Sequence, residues 1–77
     1  MTDTQLAAAL EKMYHNAPKG ESVAMIHLFG IKYAEELKNS KSNKKDIAKA
    51  AKVPESFATE ISKGIKLAKY ITVKDNI

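Results

Sequence analysis

The 77-residue chain has no cysteine and no arginine, and no apolar run approaches the length of a membrane span. Without cysteine, disulfides cannot staple the fold. His15 and His27 lack both thiolates and an i,i+4 histidine partner, so no metal site is expected. All thirteen basic residues are lysines. Lysine meets a phosphate well as a point charge, but it lacks the planar fork that reads guanine bidentately. Crossing a bilayer takes about 18 apolar residues, so no membrane partner is expected. The opening MTDTQLAAAL is acidic and has no long apolar core, which argues against a secretory leader and leaves the cytoplasm as the expected compartment. No glycine-rich phosphate loop is visible. Glu35 and Glu36 are adjacent and point differently around a helix, so they form no paired-carboxylate site. Catalysis needs converging nucleophile, base or metal groups. None is legible, so neither an enzyme, a cofactor nor a small-molecule substrate is expected.

What the chain does have is charge asymmetry. Residues 1–37 carry three lysines against five carboxylates, whereas residues 38–74 carry ten lysines against three. A basic half on one small domain suggests a polyanion partner. The alternative is a solvated, lysine-rich surface. A chain this short buries a modest fraction of its surface, so good helix packing or self-association must stabilise it.

Apolar spacing predicts an all-α bundle of four to five helices. Leu6, Ala7, Leu10, Met13 and Tyr14 form one stripe over residues 3–15, with Asp3 or Thr4 as the cap. Asn16 to Gly20 ends that helix. Residues 21–38 form the longest pattern, with Val23, Ile26, Gly30, Tyr33, Ala34 and Leu37 at helical spacing. Met25, Leu28 and Phe29 widen its apolar arc, as expected of a helix central in the core or covered by a second subunit. Gly30 costs about 1 kcal/mol relative to alanine. Close approach of another helix is the expected compensation, and a hinge is the alternative. Ser42 or Asn43 starts a third helix running to about Ala51. A fourth starts near Pro54 and ends at about Lys63, with Gly64 as its C′ residue. Residues 65–73 suit either a short helix or a strand. Helix to about Tyr70 followed by an extended tail is preferred.

The two short helices joined at Lys52-Val53-Pro54 have the helix-turn-helix arrangement. Ile47, Ala51, Val53, Ala58 and Ile61 should meet as one apolar knot that sets the angle between them. The stretch IAKAAKVPESFATEISKG resembles the helix-turn-helix of Cro/C1-type repressors through Ile47, Ala48, Ala51, Val53, Phe57, Ile61 and Gly64. Lys52 stands where that family has glycine in a left-handed conformation, and Pro54 stands where it often has a Ser or Thr cap. The resemblance implies binding of double-stranded DNA and transcriptional regulation, with the second helix in the major groove. Base-reading candidates are then Glu55, Ser56, Thr59, Glu60 and Lys63. Phosphate candidates are Lys44, Lys45, Lys49, Lys52, Ser62, Lys66 and Lys69. On this reading residues 1–38 brace residues 43–64 and carry a homodimer interface, and residues 65–77 form a C-terminal helix and tail. The competing reading is a non-catalytic protein-interaction module with the same fold. Tyr14, Phe29, Tyr33, Phe57 and Tyr70 suit core or interface positions better than a base-stacking platform for RNA.

Overall fold

The computed structural model describes residues 1–74. The first helix, α1 (Asp3–His15), is capped by Thr2. Gln5 N–H donates to the Thr2 hydroxyl at 3.1 Å, and Thr2 N–H donates to Gln5 Oε1 at 2.9 Å. This reciprocal box serves two backbone donors at once. The cap is therefore neither Asp3 nor Thr4. Asp3 lies one position inside the helix, and its carboxylate turns outward to another part of the chain.

The expected helix over 21–38 divides into α2 (Ser22–Lys32) and α3 (Ala34–Asn39) at Tyr33, whose φ is −110° and ψ 25°. Backbone bonds cross the bend: Tyr33 N–H donates to Phe29 O at 3.0 Å and Leu37 N–H to Tyr33 O at 2.9 Å. Eighteen residues of straight helix would run about 27 Å. That is the full length of a molecule whose greatest Cα extent is 26 Å. The bend keeps Leu37 buried with the rest of the core.

The motif follows as α4 (Lys44–Ala50), a turn, a single 3-10 turn at Glu55–Phe57 and α5 (Ala58–Leu67). Asn43, not Ser42, caps α4 by accepting from Asp46 N–H at 2.8 Å. The end of α4 is a Schellman turn. Val53 N–H donates to Ala48 O at 2.9 Å, and Lys52 N–H donates to Lys49 O at 3.0 Å. That pattern demands a left-handed residue, and Lys52 supplies it at φ 61°. Val53 and Ala48, the apolar pair that accompanies such a turn, are both buried.

Gly64 does not end the second motif helix. α5 runs through it to Leu67, so the separate helix expected after residue 65 is the continuation of α5. The reason is tertiary. A Cβ placed on Gly64 would lie 2.4 Å from His27 O, and one placed on Gly30 would lie 2.5 Å from Ile61 O and 2.9 Å from Gly64 Cα. α2 and α5 thus meet backbone to backbone at two glycines, which is the close approach expected of Gly30. A turn at Ala68–Tyr70 follows, and residues 71–74 have no regular structure. The rest of the expected tail, 75–77, lies outside the described residues. Among the described residues the fold is all-α, with five α-helices and no strand.

The core gathers Leu6 and Leu10 from α1, Ile26 and Phe29 from α2, Leu37 from α3, Ile47 and Ala48 from α4, and Ile61 from α5. Phe29, Leu6, Leu10, Ile26 and Ile61 are the largest fully buried side chains. Each contributes about 1.5–3 kcal/mol by leaving water. The expected knot exists for four of its five members: Ile47, Ala51, Val53 and Ile61 share one buried cluster, and Ala58 is buried outside it. Phe57 also leans its ring on Tyr14 at 6.0 Å, which joins the 3-10 turn to α1.

Candidate nucleic-acid interface

Two amphipathic helices held at their inner faces must present their outer faces to solvent. On α5, Thr59, Lys63 and Lys66 recur at i, i+4, i+7 and are exposed. On α4, Lys45 and Lys49 are four residues apart, exposed, and followed by exposed Lys52 in the turn. Between the two helices lies a shallow, open groove of about 370 Å³ lined by Asn43, Lys44, Lys45, Ala58, Thr59 and Ser62. The fold therefore brings together two of the lysines and two of the hydroxyl residues singled out in the sequence, although some fifteen residues of chain separate them.

The remaining candidates are placed differently. Glu55 and Ser56 are exposed in the 3-10 turn, and Ser56 O accepts from the Thr59 hydroxyl at 3.2 Å. Lys52 Nζ stands 3.9 Å from Glu11 Oε2, an exposed pair worth little energetically. Lys66 is exposed near the end of α5 and Lys69 in the turn beyond it. Glu60 is held low between α5 and α2. Its Oε1 accepts from His27 Nε2 at 2.7 Å, and its Oε2 from Lys63 Nζ at 3.1 Å and the Thr59 hydroxyl at 3.4 Å, with the side chain 19% exposed. The His27 bond, then the Lys63 bond, hold its carboxyl below the usual glutamate range, against a smaller opposing effect of desolvation.

A second polar cluster braces the motif from behind. Ser40 Oγ donates to Asp3 Oδ1 at 2.5 Å, and Ser42 Oγ donates to Asp3 Oδ2. The start of α1 is thereby tied to the connector that leads into α4. The Ser40 bond, then the Ser42 bond, lower the Asp3 carboxyl below its usual value. Neither the Asp3 cluster nor the His27–Glu60 pair is marked in the sequence, because their partners stand 33 to 39 residues apart.

The aromatic residues do not form a platform. Phe29 is buried, and Tyr14, Tyr33 and Phe57 are half-buried against the core. Tyr70, assigned in sequence to core or interface, is not in the core: it is 81% exposed, because α5 has ended and the chain has left the core by that point. Among the described residues no helix is long and apolar enough to cross a membrane.

No curated protein and no solved structure matches the chain. Residues 2–74 match the model of a family described as an HTH-like (helix-turn-helix-like) domain, and the chain belongs to that family.

Proposed function

We propose that the protein binds double-stranded DNA through α4 and α5, as a transcriptional regulator without catalytic activity or cofactor, acting in the cytoplasm. The observation that carries this reading is the groove that sets Lys44 and Lys45 beside Thr59 and Ser62, within a chain of the helix-turn-helix-like family. α5 and the 3-10 turn before it enter the major groove, with Ser56, Thr59 and Lys63 toward base edges. The lysines of α4, with Ser62 and Lys66, meet phosphates on either side. Lysine without arginine makes affinity largely electrostatic, so sequence discrimination is modest and salt dependence is steep. Two-fold pairing of such domains would read two half-sites about one DNA turn apart. The large apolar residues left exposed at the end of α5, namely Leu67, Tyr70 and Ile71, are candidates for that contact.

Those same residues favour the second reading, a protein-interaction module. A fluorescence-anisotropy titration with duplex DNA at two salt concentrations separates the two. Binding that weakens log-linearly with salt supports the DNA reading. Absence of binding at low salt gives way to the interaction module.

A further inference from the structure

Glu60 is adjacent to the face of α5 that carries Thr59, Lys63 and Lys66, and its carboxylate bridges that face and α2. His27 reaches Oε1 from α2 at 2.7 Å, while Lys63 Nζ at 3.1 Å and the Thr59 hydroxyl at 3.4 Å reach Oε2 along α5. The backbone contact at Gly30 and Gly64 fixes the separation of the two helices, so residues 27 and 60 meet one turn away from it. We propose that His27 is a positioning residue for nucleic-acid binding, holding one oxygen of the Glu60 carboxylate against α2 so that the group stays low between the helices, 19% exposed, and does not extend over the surface that α5 offers to a duplex. The proposal rests on the DNA reading above.

The physical reason is the sign of the charge. A carboxylate released outward over that face repels phosphate. Held by an imidazole N–H, the same carboxylate has a partner outside the docking face. Nε2 carries the donated proton in one neutral tautomer and in the imidazolium, so the clasp does not require a charged histidine. An interhelical bond that merely stabilised the fold would behave differently. Its loss would weaken binding through stability alone, and removing Glu60 as well would not restore it.

The test compares wild type, His27→Ala, Glu60→Gln, the double variant and His27→Gln. Each is titrated against a fluorescently labelled, mixed-sequence duplex at low salt, with thermal melting of each protein alongside. His27→Ala should bind about 5-fold more weakly, the effect of one existing carboxylate moved closer to phosphates. Glu60→Gln should bind as tightly as wild type or tighter. The double variant should return to within about 2-fold of Glu60→Gln, because no charge remains to be placed. His27→Gln keeps a side-chain N–H donor and should retain wild-type affinity. In DNA-free protein, carboxyl carbon NMR should show the Glu60 titration moving up on His27→Ala. Binding of His27→Ala equal to wild type overturns the proposal. So does a double variant as weak as His27→Ala, or a Glu60→Gln variant that loses affinity, since the carboxylate would then be making a contact that favours binding. If wild type itself does not bind at low salt, the DNA reading falls at the first curve and this proposal falls with it. If wild type binds and the variants do not follow the pattern, only the proposal fails.

Discussion

Lys52 and Gly30 show how one backbone position can set the sign of a substitution. Lys52 sits at φ 61° in the turn between α4 and α5, where a side chain costs about 1–2 kcal/mol that glycine avoids. Glycine in turn loses about 0.4–1 kcal/mol by loosening the unfolded chain. The first effect is larger, so Lys52→Gly should stabilise the protein by roughly 0.5 kcal/mol, read as a higher denaturant midpoint at unchanged slope. Gly30 runs the other way. Glycine to alanine inside a helix ordinarily gains about 1 kcal/mol. Here the new methyl would meet Ile61 O at 2.5 Å and Gly64 Cα at 2.9 Å, and these backbone atoms cannot swing aside. Overpacking costs about 1–3 kcal/mol, so Gly30→Ala should lower the melting temperature. An unchanged or raised value would mean that α2 and α5 do not meet at these glycines.

At the scale of elements, the polar ties between helices make stability depend on acid. Asp3 joins α1 to the connector before α4 through Ser40 and Ser42, and Glu60 joins α5 to α2 through His27. Both carboxyls are held below their ordinary values, by the Ser40 bond first in one case and the His27 bond first in the other. A carboxyl depressed by folding adds stability above its unfolded pKa and loses it as pH falls through the folded one. Stability should therefore be level near neutrality and decline below about pH 4. Asp3→Asn should melt below wild type at pH 7, and the two melting curves should converge as the pH approaches the acid limit. A constant gap across that range would show that the Asp3 carboxylate charge plays no part in the tie.

The whole molecule separates its charges, with the lysine-rich half of the chain supplying α4, α5 and the groove between them. If that surface docks on a duplex, each phosphate contact removed should take roughly 0.9 from the slope of log affinity against log salt. A Lys44/Lys45/Lys49→Ala triple variant should weaken binding at low salt and flatten that slope, by nearly 3 if all three lysines meet phosphate. Weaker binding with an unflattened slope would place the phosphate contacts elsewhere. The core tolerates these surface changes because none of the three lysines is part of it. Circular dichroism of the triple variant should match wild type.

The helical periods, the break at Pro18 and the knot of Ile47, Ala51, Val53 and Ile61 were legible in the residues themselves. Each depends on residues close together in the chain, where side-chain period and backbone sterics act alone. The left-handed demand on Lys52 was implied by the resemblance to the Cro/C1-type motif. The bend at Tyr33 and the passage of α5 through Gly64 were not legible, and neither was the capture of Asp3 by two serines or of Glu60 by His27. Gly64 reads locally as a helix end because it lacks a Cβ, whereas in the fold that missing Cβ makes room for α2. Glu60 reads locally as one more exposed charge on α5 until a histidine 33 residues away arrives beside it. Local chemistry determined which segments are helices and which side they bury. Only the packing of those helices against one another decided which polar groups remain available on the outer surface.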